Sequence, residues 1–403
     1  MNGNDLVQAV RDRLVRLPEP YAHHYGVVPL PPPEDAIIIR EARATHERAL
    51  TVLGRIDALS SEMPDPYLIS RTLSRLEAVS SSAIEGTNST LDELLTVEED
   101  DDDAHDAARQ VRDYALALDH ILPRASAEGT GVFSTELIRE LHREAMRHDP
   151  DTPDPPGALR ETVVWIGGTG NIAYSTYNPA PPDRVGACLE ETAAYLRGAG
   201  MHVMTQSLIT RMAVAHAHFE AVHPFRDGNG RVGRLLLPMM MAAEGQVPLY
   251  LSPYIEANKQ GYYASLKAAQ QRLDWDHLIG FLSDAISGTV EELLATRTAL
   301  QALKNGWLMR RRFRTNSASL RALDILVDYP VITATRLAKL LAVSLPSALT
   351  AIGQLVEVGI LIERTGYRRN RIFTAREMLA IVNRPFGVPP LVEDGLFLRT
   401  PNV

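Results

Sequence analysis

Twelve consecutive residues, His223-Pro-Phe-Arg-Asp-Gly-Asn-Gly-Arg-Val-Gly-Arg234, bring a base, a carboxylate, a glycine-rich turn and two arginines into one short segment. His223 is the only side chain there whose ordinary pKa lies near neutrality, which makes it the candidate general base. Asp227 offers the hard carboxylate oxygens that Mg²⁺ takes alongside several waters. Gly228 and Gly230, on either side of Asn229, let backbone N–H groups turn inward toward an anion, because glycine accepts positive φ and carries no Cβ. The following Leu235-Leu236-Leu237 predicts a helix. The turn then sits at a helix N-terminus, where unpaired N–H groups and the macrodipole favour phosphate. Arg231 and Arg234 are three apart and share a face of the first helical turn, and two guanidiniums suit phosphate oxygens. The chemistry implied is to hold a nucleotide polyphosphate and move part of it onto a hydroxyl.

The segment resembles the Fic-family signature, His-x-Phe-x-Asp/Glu-Gly-Asn-Gly-Arg-x-x-Arg, and agrees with it at every fixed position. The resemblance implies a protein adenylyltransferase that carries AMP from ATP to a Ser, Thr or Tyr hydroxyl of a target protein, with Mg²⁺. It also implies His223 as base, Asp227 as metal ligand, Gly228, Asn229 and Gly230 as anion cradle, and Arg231 and Arg234 on the distal phosphates. A second motif, Ser81-Ser-Ala-Ile-Glu85-Gly86, reads on its own residues as a helix end with a glycine suited to the left-handed stop. Glu85 is badly placed for the macrodipole unless a cation is near. The motif resembles the Fic inhibitory helix, which implies that Glu85 pairs with Arg234 and blocks the γ-phosphate. Residues 160–178, with Arg160, Trp165-Ile166-Gly167 and the later Pro181-Pro182, resemble the family's flap, which implies target binding by strand addition. Asn258, Tyr262 and Tyr263 fall where the resemblance implies an adenine pocket; by residue type alone, tyrosines on an amphipathic helix read as core. His216, His218 and His223 do not suggest a metal set, because residues two apart on a helix point to different faces.

Positioning these residues requires a sizeable scaffold. The chain has 403 residues, 45% of them apolar, enough for two or three domains with a real core. Its net charge of −9 lacks the electrostatic footprint of a nucleic-acid binder. The single cysteine, Cys188, excludes an intrachain disulfide and fits a reducing compartment. No apolar run approaches the ~20 residues of a membrane span, and residues 1–17 lack a signal core. A cytoplasmic protein without membrane partners is expected.

Helical periodicity covers 35–59, 69–84, 104–124, 135–148, 183–199, 205–222, 230–244, 258–271 and 275–303, with Met63-Pro64-Asp65-Pro66 as a break. Residues 18–35 predict a proline-rich extended arm, and 157–182 a short β-hairpin. Pro238 predicts a kink. The acidic run 98–103 reads as a solvated loop. Residues 297–314 hold six basic and no acidic residues and read as a domain boundary. Beyond it, helices near 320–329, 335–341 and 347–358 and strands near 360–364 and 371–374 resemble a winged helix-turn-helix. Its second-motif helix, 347–358, has no Lys or Arg and is a poor DNA reader. Basic residues lie instead in the hairpin (Arg364, Arg368, Arg369, Arg371), and 317–384 carry nine basic and five acidic residues. DNA binding and protein docking, including a homodimer, both stay open. The tail after Arg384 should be loosely ordered.

The fold class expected is mainly α: a Fic-fold helical core with a short β-hairpin flap, plus a C-terminal winged helix-turn-helix. The expected divisions are 1–104 (helical region with the inhibitory helix), 105–296 (catalytic core) and 297–403 (basic linker, winged domain, tail). Two alternatives to AMP transfer remain at this level: removal of AMP by the same site, and a nucleotide-sensing, DNA-binding transcription regulator.

Overall fold

A computed structural model of the chain describes residues 1–62, 71–99, 106–150, 152–364 and 371–390. The break at 63–66, most of the acidic run, Arg368 and Arg369 and the end of the tail lie outside the described residues. Helices of at least six residues are numbered below.

An N-terminal arm carries the antiparallel pair β1 (Leu14–Arg16) and β2 (Tyr25–Val27), with Leu14 opposite Val27. The helix expected from 35 starts only at Arg43, as α1 (Arg43–Glu62). The backbone N–H groups of Arg40, Glu41 and Ala42 are instead taken by the Asp276 carboxylate at 2.8, 2.8 and 3.3 Å. Then follow α2 (Arg71–Ile84), α3 (Leu91–Glu99), α4 (Asp106–Glu128), α5 (Thr135–Ala145), α6 (Val185–Leu196), α7 (Leu208–Val222), α8 (Asn229–Ala243), α9 (Ser252–Ala257), α10 (Lys259–Arg272) and α11 (Trp275–Arg310).

The centre of the molecule is the pair α7 and α8, joined by the signature loop. Every residue of α7 is buried, and α8 is buried almost throughout. A helix apolar all round belongs inside a core. α8 packs on α2, α4 and α5, and α7 packs on α6, α10 and α11. α8 continues through Pro238 to Ala243.

The 157–182 hairpin is not a ladder: one bridge, Ile166 to Tyr177, closes it, with a 3₁₀ turn at Ile172–Tyr174. Gly167, Gly168, Thr169 and Gly170 all have positive φ, so the tip coils where a ladder would need extended backbone. Helix α11 runs past the expected end at 303 to Arg310, with Ala299, Leu300, Leu303 and Trp307 buried at helical spacing. Arg297, Lys304 and Arg310 accompany this buried stripe on one amphipathic helix, and Arg311, Arg312 and Arg314 follow its end.

The C-terminal unit runs α12 (Ala318–Asp328), β3 (Val331–Thr333), α13 (Ala334–Leu341), α14 (Leu345–Glu357), β4 (Ile362–Glu363), β5 (Ile372–Thr374) and α15 (Arg376–Val382). Its antiparallel sheet has the order β3-β5-β4, with Thr374 facing Val331 on one side and Ile362 on the other. The unit grips the start of α2. The Asp328 carboxylate accepts the N–H of Arg71 at 3.1 Å, Thr72 Oγ1 donates to the Val327 carbonyl at 2.8 Å, and the Arg71 guanidinium lies over Tyr329. On α3, Glu98 binds Arg71 and Arg75, while Glu99 accepts from the N–H and hydroxyl of Thr333 and from Arg336 Nε at 2.9–3.1 Å.

Candidate active site

α7 stops because His223 takes a left-handed backbone (φ 49°), its N–H bonding to the Phe219 carbonyl, and Pro224 follows. A non-glycine residue there is uncommon and marks a held conformation. The loop is braced from within. Asn229 Oδ1 accepts the Phe225 N–H at 2.9 Å and its Nδ2 donates to the Phe225 carbonyl at 2.8 Å. The Asn229 side chain is therefore spent inside the loop; its backbone, not its amide group, faces the anion position.

His142 of α5 supports the loop from below. It stacks on Phe225, accepts the Gly157 N–H at Nδ1 (2.8 Å), and so donates from Nε2 to the Asp227 carbonyl (3.0 Å). Burial lowers its pKa to about 4, keeping the ring neutral. Arg160 roots the flap. Its side chain donates to the carbonyls of His223 (2.7 Å), Ala180 (2.7 Å), Val222 (3.2 Å) and Thr162 (3.1 Å). Carbonyl dipoles alone surround this buried guanidinium, and burial pulls its pKa down to about 10.

Gly228 (φ 76°) opens α8, and no side chain caps that helix. Its first N–H groups are thus available to an anion. Two guanidiniums flank them. Arg231 Nη2 lies 2.8 Å from Asp149 and 3.5 Å from Asp227, while Arg231 Nε and Nη1 have no hydrogen-bond partner. Arg234 donates from Nε to Ser81 Oγ (2.9 Å) and from Nη2 to the Ser81 carbonyl (2.9 Å) and to Glu85 (2.8 Å). Burial works most strongly against Arg234's charge, but Glu85, Tyr262 and Tyr114 together outweigh it and the pKa is raised. Burial likewise opposes the charge of Glu85, yet Arg234 holds its carboxyl below the usual range.

Glu85 lies just beyond α2, whose stop is Gly86 at φ 94°. A Cβ on Gly230 would collide with the Glu85 carboxylate. The acid therefore rests directly on Gly230, in the first turn of α8. Lys259 donates to the Ile84 carbonyl and completes the helix end.

His223 is neutral in this setting, since burial first and Arg160 second lower its pKa to about 4. Asp227 is about half exposed (52%) at the loop edge. A single accessible carboxylate beside an anion cradle fits Mg²⁺, which shares its coordination with phosphates and water. His223, Asp227, Gly228, Gly230, Arg231, Arg234 and Glu85 thus converge on one site. Tyr262 does not open onto it: the side chain is buried and its hydroxyl is 2.7 Å from His216 Nε2. Tyr263 is exposed with Lys259 over its ring, and Asn258 donates to the Tyr254 carbonyl between α9 and α10. His216 and His218 bond to the Gly233 carbonyl and to Thr192. Elsewhere His120, Glu140 and Glu144 bring ligand atoms within 4.8 Å of one another, with Glu140 already tied to Arg124.

Sequence reasoning missed Asp149, His142, Met146 (which underlies Gly228) and Glu220. Asp149 lies in a proline-rich stretch with no periodic signal, and no local pattern announces that the chain returns it to Arg231.

Residues 43–122 match the family model described as Fic/DOC family N-terminal, and residues 132–241 match Fic/DOC family. The protein adenylyltransferase fic-1 of Caenorhabditis elegans is 34% identical over 136 residues, 34% of this chain and 24% of the relative. The protein adenylyltransferase Fic of Drosophila erecta is 26% identical over 215 residues, 52% of this chain and 40% of the relative. The chain thus spans well under half the length of these curated relatives. In fold, a Fic family protein from Desulfovibrio desulfuricans superimposes with a TM-score of 0.53 at 20% identity, covering 85% of this chain and 98% of that one. Fic-1 of C. elegans superimposes with a TM-score of 0.50 at 24% identity, covering 64% and 73%.

Proposed function

We propose that this chain, which belongs to the Fic/DOC family, transfers AMP from ATP to a Ser, Thr or Tyr hydroxyl of a target protein and is held inactive by its own Glu85. The observation that carries this reading is the uncapped N-terminus of α8, flanked by two buried guanidiniums and a neutral histidine, with a carboxylate of the same chain resting on the cradle. His223 takes the proton of the target hydroxyl. The hydroxyl oxygen bonds to the α-phosphorus, the bond from that phosphorus to the bridging oxygen breaks, and pyrophosphate leaves. The α8 amides and Arg231 face the charge that develops on the phosphates, the largest source of rate in such sites. Arg234 orients the γ-phosphate once Glu85 leaves it. Mg²⁺ on Asp227, when bound, neutralises phosphate charge. The flap would hold the target backbone beside His223.

The C-terminal unit, in the order helix–strand–helix–helix–strand–strand, supports the winged-helix reading. Its α14 exposes Leu345, Leu349 and Val356 and has no Lys or Arg, which favours a protein partner over DNA.

The test is transfer of label from α-³²P-ATP to protein by the full chain carrying Glu85→Gly, against the same chain with His223→Ala added. Labelling that needs His223 supports the reading. Release of AMP from a modified target by the unaltered chain, without labelling by Glu85→Gly, replaces it with the reverse reaction.

A further inference from the structure

Behind His223 stands a carboxyl that the signature does not contain. Glu220, three residues earlier on α7, is buried, and its Oε2 lies 3.8 Å from His223 Nδ1. That distance is too long for a hydrogen bond, and neither His223 Nδ1 nor Glu220 Oε1 has a hydrogen-bond partner. Room for the acid comes from Gly233 on α8, where a Cβ would lie 2.5 Å from Glu220 Oε1. A buried acid without a partner is costly and calls for a reason.

We propose that Glu220 is the positioning residue for His223: its carboxyl orients the Nδ1 edge of the imidazole and supplies the counter-charge when Nε2 accepts the proton of the target hydroxyl. The inference rests on His223 being the base of the reaction above. Nδ1 is the ring nitrogen on the Glu220 side, 3.8 Å from its carboxylate, which leaves Nε2 for the substrate. Proton uptake turns a neutral ring into an imidazolium beside the Arg160 guanidinium, whose charge opposes it. Glu85 also favours the charged ring while it stays in place; once it withdraws, Glu220 at 3.8 Å is the carboxyl left beside the ring, and catalytic contacts that are long in the empty site commonly tighten with substrate.

The charge of Glu220 is conditional. Burial pushes its pKa up to about 8, Arg234 on α8 pulls it down, and Glu85 pushes it up. The other titratable groups around it are His223 and His216 on its own segment and Tyr262 and Tyr263 on α10. A raised acid ionises only as pH climbs past its folded pKa. The counter-charge therefore appears on the alkaline side, and transfer should quicken through that range.

Two measurements decide the proposal. With labelled histidine in the full-length chain, the His223 ring resonance, assigned by its loss in His223→Asn, should show an inflection near the ionisation of Glu220. The inflection should vanish in Glu220→Gln and persist, displaced, in Glu220→Asp. In the Glu85→Gly background, Glu220→Gln should lower kcat for AMP transfer roughly tenfold, leave KM for ATP unchanged and flatten the alkaline rise. A wild-type His223 resonance without inflection overturns the proposal, as does an unchanged kcat and pH profile in the double variant. Should Glu85→Gly transfer no AMP at all, the function proposed above fails, and the resonance still decides the Glu220–His223 contact by itself.

Discussion

Arg231 and Arg234 sit one turn apart on α8, both nearly inaccessible, each holding a carboxylate at 2.8 Å. Their partners differ. Asp149 comes from the turn after α5 and is 6% exposed, whereas Glu85 comes from beyond the end of α2 and is 34% exposed. Arg231 keeps Nε and Nη1 without hydrogen-bond partners among the described residues, while the hydrogen bonds of Arg234 go to Ser81 and Glu85. One pair is built into the core and leaves its arginine with unused donors. The other consumes its arginine with a group that one segment could withdraw. Burial of the arginine alone does not distinguish a permanent clamp from a removable plug; the origin of its partner does.

Breaking the permanent pair should have the largest effect. Asp149→Ala leaves a buried guanidinium with only the half-exposed Asp227 at 3.5 Å and should cost about 3 kcal/mol of stability, read by urea unfolding. Glu85→Gly should cost about 1 kcal/mol or less, because its pair is partly solvated. Equal losses would erase the distinction. Next comes Arg231→Ala in the Glu85→Gly background, expected to reduce AMP transfer about 10²–10³-fold; near-normal initial rates would remove Arg231 from the chemistry. Glu85→Gly alone should raise transfer roughly tenfold, a gain that Arg234→Ala should abolish in the double variant. The smallest effect is expected at the far end of α2. Asp328→Ala removes the acceptor of the Arg71 N–H and should cost about 1 kcal/mol, with a small rise in basal transfer. A fall in basal transfer would show that the C-terminal unit assists the chemistry instead of seating Glu85.

The active site was readable wherever its residues are neighbours in the chain. His223 to Arg234 carry base, acid, cradle and arginines in one segment, so spacing alone reveals them. Ser81 and Glu85 lie some 150 residues from Arg234 but form a compact motif of their own. Asp149, His142 and Glu220 have no such context, because their meaning arises only when α5 and the loop after it fold beneath the signature and Gly233 leaves a gap. The same limit applies to the fold. Helices with a strong buried stripe, such as α4 and α5, are visible in the periodicity. The start of α1 is set by Asp276, more than 230 residues away, which no local window contains. The length of α11 is hidden in the same way, because the charges of 297–310 mask the buried stripe of Leu300, Leu303 and Trp307 beside them.

The carboxylate that receives the first N–H of α2 belongs to residue 328, 257 positions after Arg71. A ribosome makes the chain in order, and domains fold largely as they emerge. Helix α2 and all of the α8 arginines are therefore synthesised before Asp328 exists. Contacts between segments so far apart form late and slowly. During synthesis there is thus an interval in which Arg231, Arg234 and Glu85 are all present while the acceptor that fixes the start of α2 has not yet been made.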